Sequence, residues 1–529
     1  MGGKLLCLPH MQRRTDLNHA LQQIKLIQGG MGVYVSNWRL AKAVAAERPG
    51  ETVGTVSGTA LDVVYVRLLQ LGDPGGHARR ALAALDATHH VDIGQRICAR
   101  YFIEGGKAAN ARFRSAPLQV VHAAAGGLLR SVPGDAGTVD LALADDVIEL
   151  LIATGFAEVW LAKEGHGGRV FINFLNKIEL PLIYTMYGAM LAGVDGVIVG
   201  AGNPDGLPAV CTSLAAHKPI AHPISVLYRG AGEEFRLAFD PRTVAGGSLA
   251  AAPLPRPHFL AIVSLEDLVQ ALTNSDSQAP DGFIIENYTA GGHNANPVGP
   301  LRRDERGQPI YGPKDHPDLD TIRAARLPFW LAGGYGSRAG LAAAQAAGAC
   351  GVQAGSIFAL AEESGMKPDY RSAILNELKR GVDDADLVHT TIFSPTGFAF
   401  KVVQIKQTLA DDDVYAERRR VCDIGLLQQI GLSSADAGGV REVFQRCPAG
   451  PVEVYVDRRG LERNTAERRC LCNGLLACVG LAQTKAQAGE LYEEPAIVTL
   501  GDHLDGVRRL SRGGQTHYWA KDVVGDILG

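Results

Sequence analysis

Short apolar runs that end in glycine or a polar residue alternate with apolar-periodic stretches along most of residues 25–358. Runs of the first kind predict buried strands, and stretches of the second kind predict the helices that connect parallel strands. Eight such units follow one another, with strands beginning at Lys25, Glu51, Arg169, Val194, His258, Gly282, Leu327 and Gly348. Because eight parallel units form a closed barrel, the pattern predicts an α/β fold of the (β/α)8 TIM barrel type.

Three segments interrupt this alternation. Residues 73–156 carry charged helical stretches and a loop rich in proline and glycine, and residues 219–257 contain two extended segments that predict a β-hairpin around residues 229–232. Residues 298–318 form a long polar loop after the sixth strand. We therefore predict a barrel over residues 24–409 with two insertions and one long loop, and helices from residue 359 to about 409.

The composition fits a large folded enzyme that binds small molecules. The 529 residues are 46% hydrophobic and 20% charged, and the formal charge is −4. A chain of this kind buries a sizeable core, and its charge is too small to favour nucleic acid or an anionic membrane as a partner. Its first residues do not resemble a signal peptide and no run is long enough to cross a bilayer, so we expect a cytoplasmic protein.

Residues 410–529 are predicted to form a helical, cysteine-rich extension. Cys447, Cys470, Cys472 and Cys478 supply four thiols, which are ligands suited to zinc or an iron–sulfur cluster. Their spacing matches none of the usual metal-binding motifs, and small buried thiols in an apolar helix are the alternative that we favour.

The candidate chemistry lies where strands end, because barrel enzymes place their active sites at the carboxyl ends of the strands. His293 follows the sixth strand, in the sequence GFIIENYTAGGH. Gly333 with Gly334, and Gly355 with Ser356, follow strands seven and eight, where backbone N–H groups commonly bind a phosphate. Tight packing of small residues is the alternative explanation for these glycines.

Three further residues are candidates for contact with a substrate. His166 and Lys163 lie in the sequence LAKEGHGG, for which a solvated charged loop is an equal alternative. Tyr311 lies in the long loop after the sixth strand, where it is placed to shape the entrance to a site.

Six motifs in order resemble those of the nitronate monooxygenase family, which also includes flavin-dependent enoyl-acyl-carrier-protein reductases. The motifs are IQGGMG (27–32), INF (172–174), GAGNP (200–204), AGGH (290–293), LAGG (331–334) and QAGS (353–356). The resemblance runs from about residue 24 to 405 and implies a barrel that binds FMN.

The resemblance also implies roles for individual residues. It implies that His293 faces the substrate, where an imidazole can take a proton from a weak carbon acid or hydrogen-bond a developing oxyanion. It implies that the flavin ring and phosphate contact Gly29, Gly30, Met31, Asn173, Gly292, Gly333, Gly334, Gly355 and Ser356.

Two activities follow from the resemblance. The first expectation is oxidation of nitronates with oxygen to a carbonyl compound and nitrite. The alternative is an enoyl-thioester reductase that takes hydride from NAD(P)H and has an acyl carrier protein as partner. A flavin-bearing subunit without activity is a third interpretation, and a homodimer stays open as the oligomeric state.

Overall fold

The structure is a computed structural model that describes residues 20–123, 127–418, 423–487, 490–512 and 517–529. Its strands, in chain order, are β1 (Leu26–Gln28), β2 (Thr52–Ser57), β3 (Val120–His122), β4 (Ser131–Pro133), β5 (Thr138–Leu143), β6 (Arg169–Leu175), β7 (Gly196–Gly200), β8 (Ile220–Pro223), β9 (Val226–Leu227), β10 (Glu234–Phe239), β11 (His258–Val263), β12 (Gly282–Glu286), β13 (His293–Asn294), β14 (Phe329–Ala332), β15 (Gly351–Ala354), β16 (Val388–Phe393), β17 (Ala399–Val403), β18 (Gln429–Leu432), β19 (Val440–Arg446), β20 (Thr484–Gln487) and β21 (Glu490–Glu493).

The helices are named in the same way. They are α1 (Trp38–Glu47), α2 (Leu61–Gln70), α3 (His77–His89), α4 (Ile93–Tyr101), α5 (Asp145–Lys163), α6 (Glu179–Leu191), α7 (Leu207–Ala215), α8 (Glu266–Thr273), α9 (Leu319–Ala324), α10 (Arg338–Ala346), α11 (Ser356–Ala359), α12 (Pro368–Lys379), α13 (Asp384–Leu387), α14 (Asp412–Glu417), α15 (Val452–Asp457), α16 (Leu471–Cys478), α17 (Asp505–Leu510) and α18 (Ala520–Leu528). None of the helices in the described part of the chain is long and apolar enough to cross a membrane.

Eight parallel strands close into a barrel in the order β1-β15-β14-β12-β11-β7-β6-β2. These are the eight strands that the sequence predicts, and the largest difference in a starting residue is between Gly348 and Gly351. The (β/α)8 fold is therefore confirmed.

Large apolar side chains fill the inside of this barrel. They form one cluster that includes Phe171, Ile198, Leu260, Ile284 and Trp330. The Trp330 indole Nε1 donates a hydrogen bond at 2.8 Å to the carbonyl of Ile24, which precedes β1. Because the interior is packed in this way, ligand space can open only above the carboxyl ends of the strands.

The first insertion ends earlier than predicted. The sequence pattern predicts its end at residue 156, but α5 begins at Asp145 and is the barrel helix that leads into β6. Asp145 and Asp146 occupy its first turn, where carboxylates are favourable. Nearly all of the residues that follow are buried against neighbouring helices, so α5 lacks the one-sided apolar pattern that marks a surface helix.

The two insertions join in one sheet, β3-β5-β10-β8. β8 and β10 are antiparallel, as the predicted hairpin requires, and β10 also pairs with β5 of the first insertion. The insertions are therefore a single structural unit although the barrel helix α5 separates them in the sequence.

The prediction of helices up to residue 409 is wrong for residues 388–403. β16 and β17 form an antiparallel pair there, and β17 also pairs with β13, so that Phe400 lies opposite His293. The segment after residue 409 is also mixed, since β18 and β19 pair with β9 and β4 of the insertions. The extension is thus tied to the insertions by a shared sheet.

Candidate functional site

One cavity of about 320 Å³ lies at the carboxyl ends of the barrel strands. Its volume is in the range of sites for small molecules and cofactors. The cavity walls come from the loops that follow seven of the eight barrel strands, and from residues 426–475 and 499–509 of the C-terminal extension. It is located where barrel enzymes place their chemistry.

The structure brings most of the predicted site residues together in this cavity. Those that line it are Gly29, Gly30, Met31, Asn173, Gly292, His293, Gly333, Gly334, Gly355 and Ser356. Their individual roles stay predictions, but their common location is what a single bound cofactor requires.

His293 lies against the β16–β17 pair. Its ring packs edge to face on Phe400, with ring centroids 5.0 Å apart, and on Phe398 at 6.3 Å. Its Nε2 atom is buried and has no hydrogen-bond partner among the described residues. Burial lowers the pKa of His293 to about 4, so the imidazole is neutral at pH 7. A neutral ring of this kind is a weak base but a suitable hydrogen-bond partner for a ligand.

Glu286 is a site residue that the sequence analysis did not identify. It is the last residue of β12 and lines the cavity. Burial raises the pKa of Glu286 to about 7, and the nearby Lys401 opposes that effect. The sequence does contain a pattern that indicates this residue: a carboxylate directly follows the apolar run GFII, at the end of a barrel strand where active-site residues lie.

Lys401, on β17, is the buried cation nearest to this group. Its Nζ atom donates hydrogen bonds to the Tyr288 carbonyl and to Asp502 Oδ2, the latter at 3.0 Å. Burial lowers the pKa of Lys401, and Asp502 and Glu286 oppose this shift. The lysine therefore fastens the loop after β12 to the C-terminal extension.

The part of the cavity formed by the loops after β14 and β15 suits a phosphate, and we refer to it as the phosphate end. Gly333 and Gly334 both have positive φ angles, 81° and 85°, a conformation that favours glycine. Within the described residues, the backbone N–H groups of Gly334, Gly355 and Ser356 donate to no protein acceptor. Such N–H groups bind phosphate oxygens.

These features fit the FMN that the resemblance implies. Unpartnered N–H groups lie at the phosphate end, and the buried polar atoms His293 Nε2 and Gln353 Oε1 lack a partner among the described residues that surround the cavity. Buried polar groups normally have hydrogen-bond partners, so a polar ligand that supplies partners to these groups is expected.

The C-terminal extension covers the phosphate end. The Gly501 N–H donates to Ser356 Oγ at 2.7 Å, and a Cβ atom added to Gly334 would lie 2.5 Å from His503 Cδ2. The segment contributes to the wall Thr499, Leu500, Gly501, His503, Asp505, Gly506 and Arg509. No local sequence pattern identifies these residues as part of the site, because only tertiary packing brings them to the barrel.

A second part of the extension gives the cavity an aliphatic wall. Side chains from the barrel loops and from residues 426–475 meet there and belong to one hydrophobic cluster. We refer to this set, which is aliphatic except for one phenylalanine, as the aliphatic wall: Val33, Phe174, Leu175, Ile178, Leu426, Leu427, Leu471 and Leu475.

His166 and Lys163 are not at the site, which corrects their assignment as substrate residues. They precede β6 and therefore lie at the amino-terminal end of the barrel. The His166 Nε2–H donates to the Ala162 carbonyl at 2.7 Å, and Lys163 pairs with Asp195 at 2.6 Å. Both side chains stabilise the turn between α5 and β6.

Tyr311 also lies outside the residues that line the cavity. Its ring stacks on Tyr288 with centroids 3.9 Å apart, and its hydroxyl donates to the Ala295 carbonyl at 3.0 Å. It therefore holds the long polar loop against the loop after β12, and we withdraw it as a substrate contact.

Cysteines of the extension do not assemble a metal site in the part of the chain that the structure describes. No group of three or more His, Cys, Asp or Glu side chains there is placed to hold a metal ion. Cys470 and Cys478 are buried, as the buried-thiol interpretation expects, and burial raises the pKa of Cys478 to about 12.

Three solved structures resemble this chain at low identity. FabK from Thermotoga maritima is 14% identical, with 98% of this chain and 94% of that chain covered and a TM-score of 0.42. A nitroalkane oxidase from Streptomyces ansochromogenes is 14% identical, with 97% and 96% covered and a TM-score of 0.41. The enoyl reductase domain of MlnA from Bacillus amyloliquefaciens is 13% identical, with 72% and 83% covered and a TM-score of 0.37.

The sequence comparisons give a narrower result. No curated protein matches the chain. The family model described as nitronate monooxygenase matches residues 258–394, which include β11, β12, β14, β15 and the AGGH motif. This match supports an oxidoreductase in general. It also confirms, over residues 258–394, the resemblance to the nitronate monooxygenase family that the motifs predict.

Proposed function

We propose that the chain is an FMN-dependent oxidoreductase that reduces the carbon–carbon double bond of an enoyl thioester. One observation favours this function over nitronate oxidation: the neutral His293 and the aliphatic wall line the same cavity. An acyl chain can bury its apolar surface against such a wall, with a gain of about 0.8 kcal/mol for each buried CH₂ group.

The distribution of charge supports the same choice. Among the described residues that line the cavity, the acidic and basic ones are Glu286, His293, His503, Asp505 and Arg509. Arg509 is paired with Asp526 at 2.7 Å. No lysine or arginine of the lining therefore faces the cavity unpaired, and a buried anion such as a nitronate needs a partner of opposite charge. An enoyl thioester is uncharged at its reacting atoms.

The residues present would hold FMN at its two ends. Gly334, Gly355 and Ser356 offer backbone N–H groups to the phosphate. Gly30 and Asn173 lie against each other, on the side of the barrel across from the strand that leads to His293, and so would border the ring. When bound, FMN supplies the hydride chemistry for which the protein has no group of its own.

His293 acts in this proposal as a hydrogen-bond donor. A neutral imidazole carries one N–H, which can donate to the thioester carbonyl oxygen as negative charge develops there. The low pKa of His293 suits this role, since the ring stays neutral across the physiological range. The acyl group would arrive on an acyl carrier protein or on a smaller thiol, and NAD(P)H would supply hydride to the flavin.

Nitronate oxidation is the second candidate, and the match to the nitronate monooxygenase family favours it. It would use the same cavity, with His293 donating a hydrogen bond to a nitro oxygen. A chain that binds FMN but has neither activity would correspond to the non-catalytic subunit.

Stopped-flow spectroscopy of the flavoprotein separates these functions. The anaerobic protein is mixed with NADPH and, separately, with propyl nitronate, and the flavin absorbance is followed. We expect NADPH to reduce the flavin rapidly and a medium-chain enoyl thioester to reoxidise it. Reduction by nitronate alone, with no reoxidation by enoyl thioester, would contradict the proposal.

A further inference from the structure

Glu286 belongs to one level of the barrel, that is, to a set of residues that are paired with one another on neighbouring strands. It is paired with Ala332 on the neighbouring strand, and Ala332 is paired with Gln353 on the next. Ala332 packs with the residues that fill the barrel interior, so this level faces inward. Because the alanine side chain is small, the side chains on either side of it meet above it: Gln353 Nε2 lies 3.4 Å from Glu286 Oε2.

The contacts of Glu286 do little to stabilise a negative charge on its carboxyl group. The hydrogen bond from Gln353 is long, and the Gln353 Oε1 atom is buried without a partner among the described residues. An amide oxygen in that position lacks a donor, and a protonated carboxyl group is a donor. The local geometry thus suits a neutral Glu286 better than an ionised one.

The charged and titratable groups around Glu286 agree with this. Lys401 is the nearest cation, but its ammonium group already contacts Asp502 and the Tyr288 carbonyl. His293 is neutral because burial lowers its pKa to about 4. Burial raises the pKa of Glu286 to about 7, so close to half of the molecules carry its proton at neutral pH.

Reduction of an enoyl thioester needs a proton as well as a hydride. Bound FMN would supply the hydride for a new C–H bond at the β-carbon, and the π electrons of the double bond would move towards the thioester carbonyl and give an enolate. A proton must then form the second C–H bond, at the α-carbon. An acid in the cavity is needed for that step, and its pKa should lie near the working pH.

We propose that Glu286 is the acid that delivers this proton to the α-carbon, an inference that rests on the proposed function. The Oε–H bond breaks, the Cα–H bond forms, and the enolate returns to the thioester. The carboxylate then regains a proton from water. His293 holds the carbonyl oxygen during the step and keeps its own proton, because a neutral imidazole is too weak an acid to give it up.

The substitution Glu286→Gln tests this assignment, because it keeps the size of the side chain and removes the acid. Flavin reduction by NADPH is expected to keep its wild-type rate, whereas reoxidation by the enoyl thioester should slow by about 10². The wild-type reoxidation rate should fall as the pH rises through 7, since the raised pKa leaves Glu286 protonated only below that value. The variant should lose this pH dependence.

Two further variants complete the experiment. Glu286→Asp retains an acid and should recover part of the rate and of the pH dependence. Glu158→Gln is the matched control, because Glu158 is also a buried carboxyl with a raised pKa but lies outside the cavity. It should reoxidise like the wild type. Absorbance of the bound flavin establishes that each variant is folded and loaded.

A second measurement does not depend on rate. In D₂O the wild type should place deuterium on one face of the α-carbon, whereas Glu286→Gln should deuterate both faces, because solvent then supplies the proton. Wild-type rate, pH profile and facial selectivity in this variant would overturn the role of Glu286 and leave the proposed function intact. Failure of the wild type to reduce any enoyl thioester would remove both.

Discussion

The barrel and the C-terminal extension line the same cavity with different kinds of side chain. The barrel strands and their loops contribute glycines, the amide of Asn173, the titratable pair Glu286 and His293, and half of the aliphatic wall. Residues 426–475 of the extension contribute mainly aliphatic side chains, and residues 499–509 cover the phosphate end. In our proposal, the barrel therefore holds the cofactor and performs the reaction, whereas the extension selects the substrate.

The two regions also differ in how each is secured. The barrel loops are short continuations of buried strands, so their positions follow from the fold. The extension is held by buried polar contacts, among them the ion pair of Arg418 with Glu494 at 2.7 Å and that of Arg441 with Glu233. A reactive group on a barrel loop can therefore be replaced without moving the wall opposite it, which allows the comparison to be tested.

The largest expected effect is that of His293→Ala. Loss of one hydrogen-bond donor to a developing oxyanion should lower turnover by about 10² to 10³, while FMN stays bound. The matched control is His166→Ala, which removes a histidine from the other end of the barrel and should leave turnover unchanged. Equal losses in both variants would contradict a special role for His293.

Leu475→Trp tests the aliphatic wall. The larger side chain should shorten the space for an acyl chain and lower kcat/KM for an octenoyl thioester by about 10- to 100-fold, with little change for crotonyl thioester. Leu461→Trp is the control, because Leu461 is an exposed residue of the extension. If Leu475→Trp affects both chain lengths equally, the extension does not select the substrate.

Gly334→Ala tests the phosphate end. The added Cβ would meet His503, and the positive φ angle adds backbone strain, so the dissociation constant of FMN should rise by about 10-fold or more. Gly299→Ala carries a similar strain at a φ of 97° but has nothing within 4 Å of the added atom. Fluorescence titration of the apoprotein with FMN should show the increase in the first variant only.

The smallest expected effect concerns the stability of the protein and does not involve the cavity. Glu158 is buried on α5, and burial raises its pKa to about 8. Relative to a side chain that does not titrate, this carboxyl group costs no stability below its unfolded-state pKa of about 4.5, and it lowers stability progressively as the pH rises from there through the folded-state value. Glu158→Gln should therefore unfold like the wild type at pH 4 and at a temperature a few degrees higher at pH 9, as measured by thermal denaturation.

The barrel could be predicted from the sequence because its strands are buried on both faces. Such strands are continuous apolar runs, and glycine or a polar group marks the end of each one. The strands of the extension give no comparable signal: β19 is partly exposed and carries Arg441, Glu442 and Arg446 within seven residues. Its pairing depends on partners far away in the chain.

The candidate site divides in the same way. Residues on barrel strands and the loops after them, such as His293 and Ser356, could be found because their place in the fold fixes their place in the cavity. His166 was misplaced although the information was available, since a loop that precedes a barrel strand lies at the end opposite the chemistry. Leu475 and His503 could not be found, because nothing local brings them to the barrel.

The sheet that ties the extension to the insertions has a consequence for the order of folding. It runs β4-β19-β18-β9, and the Arg441 guanidinium donates to the Pro133 carbonyl, 308 residues earlier in the chain. Contacts of such long range form slowly, and during synthesis they must wait for the later segment to leave the ribosome. We expect the nascent barrel to have an open mouth until then, which gives the cofactor a route into the protein before the aliphatic wall closes over it.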